Sequence, residues 1–282
     1  MTDINAATRW RDSLLRWTAP PPESEIDSQS APNGWDRHAE QFRALNERQR
    51  GRDEPFLQFL APWLSPGVTV LDVGAGGGRF ALPLAERGAR VTAVEPSPGM
   101  GAVLRETAAA RGLAIDIVAE RWPDAAAPKA EVVICANVVY DVANLAPFAA
   151  ALDRASERVV ALFLTLTHPL GNLADLWREF RNWDPPRGPT YLDAAAVVFE
   201  LGIPVNVTLV PTQATLAVAD WDSLLAGYRN RLGLAPEPER DRRLRAALTP
   251  DVDERGGELV VRPRQDRAAV IWWEKSHGQR ST

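Results

Sequence analysis

One stretch of this chain restricts its fold more than any other. Residues 70–80 read VLDVGAGGGRF, an apolar β-branched run that enters a cluster of glycines and leaves as a helical pattern. Glycine accepts positive φ and lets the backbone come close to a ligand, and the helix that follows begins with N–H groups lacking helical partners. At the carboxyl end of a strand in an open α/β sheet, such a turn is a nucleotide-type binding site. Its spacing narrows the ligand. A dinucleotide turn needs G-x-G-x-x-G. Counted from Gly74, the third glycine falls on Arg79; counted from Gly76, it falls on Ala81. A phosphate-binding P-loop is excluded because no Gly-Lys-Ser/Thr follows.

The surroundings of the turn predict the architecture. Short apolar runs at 68–73, 91–94, 114–118, 132–136 and 159–165 alternate with helical stretches at 79–87, 97–111 and 143–156. Continuous apolar strands alternating with helices predict a parallel sheet covered on both faces. Ahead of this region, residues 8–17 read as a helix carrying Trp10, Leu14, Leu15 and Trp17, stopped by the prolines at 20–22, and residues 35–63 read as one or two helices. Beyond it, helices are expected at 171–183, 192–201, 220–232 and 238–248, and a strand at 205–210. Residues 258–262 and 268–273 are expected to pair as a hairpin. The chain thus divides into an extension (1–34), a core (35–169) and a remainder (170–282) that completes the sheet and caps the acceptor side.

The glycines continue a pattern. Asp72-Val73-Gly74-Ala75-Gly76-Gly77-Gly78 fits D/E-x-G-x-G-x-G, and Glu95 closes the second strand about twenty residues on, in VTAVEPSPGM. Here the chain resembles the class I S-adenosylmethionine-dependent methyltransferases of small-molecule type. The resemblance covers residues 35–169. It implies a Rossmann-like, doubly wound seven-stranded sheet, mostly parallel with an antiparallel last strand, plus a helical N-terminal lid and a helical insertion. It also implies a cofactor site. Asp72, Gly74, Ala75, Gly76 and Gly78 would face the methionine part, and Glu95, with Pro96, Ser97 and Met100, the ribose. Glu120, Arg121 and Trp122 would lie against the adenine, and Asn137 would pass under the methionine moiety. Ordinary core packing is the rival role for Trp122. Glu131 stands where the family usually opens its fourth strand with Asp.

Methyl transfer is a displacement from a sulfonium, so the protein mainly aligns the partners and excludes water. A general base is optional. His168, after the fifth strand, is the candidate for that role, although a histidine before proline is more often a turn residue. Trp35, Phe42, Tyr140, His168 and Trp177 are the candidates for the acceptor side, and His38 falls in the same N-terminal stretch as the first two. The run Asn137-Val138-Val139-Tyr140 lacks the prolines of nucleobase amino-methyltransferases, and Cys135, inside an apolar strand, reads as a buried core thiol. The aromatic residues of 171–250, interleaved with arginines, fit a small, apolar or aromatic acceptor, and equally a helical cap on the sheet or a dimer interface. The competing reading is an S-adenosylmethionine-binding interaction protein without turnover.

Composition sets outer limits. With 282 residues and 45% hydrophobic content the chain can bury a large core, and a net charge of -5 lowers the expectation of a nucleic-acid partner. The lone Cys135 excludes an internal disulfide and fits a cytoplasmic setting. No secretory signal, membrane association or metal is expected. A homodimer is compatible with the aromatic residues of the C-terminal third.

Overall fold

The computed structural model describes residues 5–18, 43, 54–212 and 216–275. Its main sheet is assembled from β1 (Thr69–Val73), β2 (Arg90–Val94), β3 (Ile115–Val118), β4 (Ala130–Ala136), β5 (Ser156–Thr165), β6 (Asn206–Pro211) and β10 (Arg267–Glu274). The spatial order is β3-β2-β1-β4-β5-β10-β6. The first five strands pair in parallel, and β10 runs antiparallel between β5 and β6. The strand order reverses between β1 and β4, and that switch point is where an open α/β sheet forms its crevice.

Both faces of the sheet are covered because its strands are apolar on both sides. On one face, Leu71, Val73, Val133, Cys135, Leu162 and Ile271 join α1 (Ala6–Thr18), α5 (Leu145–Ala155) and α7 (Tyr191–Glu200) in one core. On the other, Val70, Ala93, Val132, Ile134, Ala161 and Val270 pack under α2 (Pro55–Leu60), α3 (Ala81–Glu86) and α4 (Pro98–Ala110). In α1, Ala6, Trp10, Leu14 and Trp17 are the buried face. Leu15, expected with them, points away and is 50% exposed, since one residue advances a helix by about 100°. The Trp10 indole N–H donates to the carbonyl of Val142 at 2.8 Å, and the Glu200 carboxylate accepts the free N–H of Ala6 at the helix start.

The C-terminal part differs from the expectation in one respect. Residues 258–261 do not pair with β10. They form β9 (Glu258–Val261), the middle of a small antiparallel sheet between β7 (Leu216–Val218) and β8 (Val252–Arg255). The reason lies in the burial patterns. β9 alternates and buries only Leu259 and Val261, which suits a sheet covered on one face. β10 is buried along almost its whole length and needs a partner on each side, which β5 and β6 supply. The insertion is thus helices plus a sheet. α6 (Ala174–Arg181), α8 (Trp221–Leu232), α9 (Pro238–Leu248) and the small sheet share a third core of Leu176, Trp177, Leu224, Tyr228, Leu244 and Leu259.

Candidate functional site

The glycine turn lies where β1 ends, and its shape follows from two contacts. The carbonyl of Val94, at the end of β2, accepts the N–H groups of Gly74 and Ala75 at 2.8 and 3.2 Å. On its other side Val138 presses on the turn: a Cβ on Gly74 would lie 2.3 Å from Val138 Cγ2, and Gly74 has φ +75°. Only glycine satisfies both conditions. Gly76 differs, since a Cβ there would meet nothing within 4 Å. The turn is therefore tight against the fourth strand at Gly74 and open at Gly76.

Glu95 holds the open part. Its carboxylate accepts the N–H of Gly76 at 2.7 Å with one oxygen and that of Ser97 at 2.8 Å with the other. The Ser97 hydroxyl in turn caps α4 by accepting the N–H of Met100, which is buried against Val103. Pro96 is exposed between them. This links both motif segments through one buried carboxylate, and a ligand with vicinal hydroxyls would find acceptors on Glu95.

Asp72 sits beneath the turn, 1% exposed. One of its oxygens, Oδ2, has no hydrogen-bond partner, while the backbone N–H of Ala81 supports the carboxylate. Burial, followed by the nearby Glu95 charge, raises its pKa to about 7. Cys135, equally buried, is pushed well above its ordinary value by burial and by Asp72, which fits an inert core thiol.

The adenine-side candidates fare unevenly. The Glu120 carboxylate accepts the N–H of Ala126 at 2.8 Å, so it shapes its own loop. Arg121 is exposed. Trp122 is half-buried, leans on the first core and donates its indole N–H to the carbonyl of Phe148 at 3.3 Å. Asn137, at φ +58°, turns the chain at the end of β4 and donates its N–H to the Phe163 carbonyl at 2.8 Å, leaving its side chain exposed. Glu131 lies at the opposite end of the sheet, where its carboxylate accepts the N–H of Thr69.

Beyond β4 and β5 the aromatic candidates meet. The Tyr140 hydroxyl is fixed by Thr165, whose carbonyl accepts it at 2.7 Å, and burial pushes its pKa up. His168 stands edge-on to Tyr140, ring centroids 5.3 Å apart, and lies flat on Trp17 of α1 at 4.7 Å. Burial lowers the His168 pKa to about 4, so the imidazole is neutral near pH 7. Trp183 stands edge-on to both Trp17 and Trp177, and so links this group to the third core. Trp177 itself is buried in that core. Trp35, His38 and Phe42 lie outside the described residues.

Two partners escaped the sequence reading. Glu54, ahead of α2, is a buried carboxylate that accepts from the Arg79 guanidinium at 3.1 Å. Arg79 also lies over Phe80, which packs with Phe56 and Phe163. Trp17 was visible only as an apolar helix position. Neither pairing leaves a local signal, because each joins residues remote in the chain.

Comparison with known proteins agrees with this geometry. Residues 70–161 match the family model described as a methyltransferase domain. The match runs from β1 into β5 and so takes in the glycine turn and Glu95. A ubiquinone biosynthesis O-methyltransferase of Methylobacterium sp. is 35% identical over 103 residues, 36% of this chain and 39% of that protein. This chain thus spans about two fifths of that relative's length. An uncharacterized protein of Haemophilus influenzae is 28% identical over 254 residues, 86% of this chain and 89% of its own. The fold is shared with a candidate methyltransferase of Bacillus halodurans, at a TM-score of 0.51 and 14% identity over 78% of this chain and 96% of that one. Among the described residues, no helix is long and apolar enough to cross a membrane.

Proposed function

We propose that this chain is an S-adenosylmethionine-dependent methyltransferase acting on a small, apolar or aromatic acceptor. The observation that carries this reading is the pair of buried carboxylates under and beside the glycine turn, Glu95 bonded to Gly76 and Ser97, and Asp72 with one oxygen unsatisfied. A buried polar atom without a partner is costly, and a ligand that supplies a donor removes the cost. When bound, the cofactor supplies a methyl group on a positively charged sulfur. Asp72 fits its ammonium group and Glu95 its ribose hydroxyls. The open position at Gly76 leaves room for the methionine portion, and Val138 closes the turn from below.

On the acceptor side, Tyr140, His168 and Trp17 offer a rigid aromatic group at the ends of β4 and β5. His168 is neutral at physiological pH, so it can accept a hydrogen bond from an acceptor hydroxyl. An oxygen acceptor agrees with the printed name of the Methylobacterium relative, an O-methyltransferase. The chain's net charge of -5 argues against a nucleic-acid acceptor.

Calorimetry tests the donor half. S-adenosylmethionine and S-adenosylhomocysteine should bind in the micromolar range, NAD should not, and Glu95→Ala should weaken both binders. Binding of NAD, or an indifferent Glu95→Ala, overturns the assignment. A screen of phenolic and other small acceptors, read by S-adenosylhomocysteine release, then separates an enzyme from a cofactor-binding interaction protein.

A further inference from the structure

We infer that Asp72 carries a proton in the ligand-free protein and surrenders it when the ammonium group of the cofactor arrives, so that cofactor capture releases a proton to solvent. The inference rests on the cofactor reading above and adds a coupling that the reading does not require.

The argument begins with two buried carboxylates in one site. Like charges in a shared low-dielectric site cannot both ionise cheaply, and the less well solvated one keeps its proton. The structure distinguishes them. Glu95 accepts two backbone N–H groups, from Gly76 and Ser97, and so has its charge solvated by the protein. Asp72 is supported by the N–H of Ala81 alone, and its Oδ2 is buried without a partner. Among the described residues no cation contributes to its electrostatics, and Arg79 is engaged by the buried carboxylate of Glu54. The remaining titratable neighbour, Cys135 on β4, is a neutral thiol that solvates no charge. The proton therefore resides on Asp72, in keeping with a pKa near 7.

A cation arriving at Oδ2 reverses this balance. It favours the carboxylate form, lowers the Asp72 pKa and expels the proton. Below the free-state value, affinity for a ligand bearing an ammonium should fall by up to about tenfold per pH unit, because the proton must first be removed. Above it, affinity should be flat. The ligand's own amine does not mask the effect at pH 6.5, where an α-amino group is charged.

The test is calorimetry of the full chain at pH 6.5 in two buffers of different ionisation enthalpy, with S-adenosylhomocysteine and 5′-methylthioadenosine as probes. The two share the nucleoside and thioether, and only the first has the amino-acid end. The expected result is release of most of one proton with S-adenosylhomocysteine and none with 5′-methylthioadenosine. Asp72→Asn should fold, bind S-adenosylhomocysteine more weakly and release no proton. A buffer-independent enthalpy for S-adenosylhomocysteine, or equal release with both probes, overturns the inference while leaving the cofactor site standing. Failure of S-adenosylhomocysteine to bind even at pH 8 overturns the cofactor reading instead.

Discussion

The indole of Trp17 lies on the imidazole of His168 with centroids 4.7 Å apart and planes 17° from parallel. One residue comes from α1 and the other follows β5, so the contact ties the N-terminal helix to the carboxyl end of that strand. Tyr140 closes the other approach to the imidazole, and the His168 carbonyl accepts the N–H of Gly171, which fixes the loop.

This burial predicts an acid sensitivity. The His168 pKa is lowered from 6.5 to about 4 by burial, so the folded state refuses a proton that the unfolded chain accepts. Stability is fully present above pH 6.5 and is lost as pH falls toward 4, a loss on the order of 2 kcal/mol. Urea titrations at pH 7.5 and 5.0 measure it. Asp72, with its pKa raised to about 7, acts in the opposite sense over this range, so the quantity to read is the change in pH dependence between wild type and His168→Gln, and an identical pH dependence in both would assign the sensitivity elsewhere.

Gly188 makes the stack possible. A Cβ there would lie 2.3 Å from Trp17 Nε1 and 2.8 Å from His168 Cβ. Gly188→Ala should destabilise by about 1–3 kcal/mol through overpacking and displace α1. Gly227→Ala is the control. It lies inside α8 with nothing within 4 Å of the new methyl, and should stabilise by about 0.5–1 kcal/mol. Thermal melts of the two variants should move in opposite directions.

The glycines of the turn should also separate. Gly74→Ala forces a methyl into Val138 and should abolish S-adenosylhomocysteine binding along with a loss of stability. Gly76→Ala meets no atom, although its φ of +55° adds about 1–2 kcal/mol of backbone strain. It should remain folded, with its cofactor affinity as the main casualty. Equal melting temperatures for the two variants would contradict the packing of Val138 on Gly74.

Arg79 and Glu54 form a largely buried pair, their side chains 19% and 6% exposed. Arg79→Met leaves a buried carboxylate and should cost about 3 kcal/mol, and Glu54→Gln in the same background should recover most of it. A double-mutant cycle by urea unfolding measures the coupling. Strict additivity would mean that the two groups do not act as a pair.

The donor half of this protein was written into short segments of sequence. Asp72, Gly74, Gly76 and Glu95 stand at fixed spacings around strand ends, and local chain geometry carries them to one place. The apolar strands likewise announced a parallel sheet, since burial on both faces leaves a continuous hydrophobic run. Other features depended on contacts between distant segments. The periodicity of 258–261 marks a strand without saying which sheet it joins; the third core decided that, and β10 went to the main sheet because both of its faces needed cover. Trp122 reads equally well as cofactor cover or core, and its packing against the first core and its bond to Phe148 became visible only in three dimensions. Trp17 on His168 and Glu54 on Arg79 join residues whose separation along the chain gives no pattern to read. Spacing along the chain determined the turn and its carboxylates, because Asp72 lies at the end of β1 and Glu95 directly follows β2, its parallel neighbour. Only tertiary packing decided the grouping of Tyr140, His168 and Trp17 and the one unsatisfied oxygen of Asp72, because burial is a property of everything that folds around a residue.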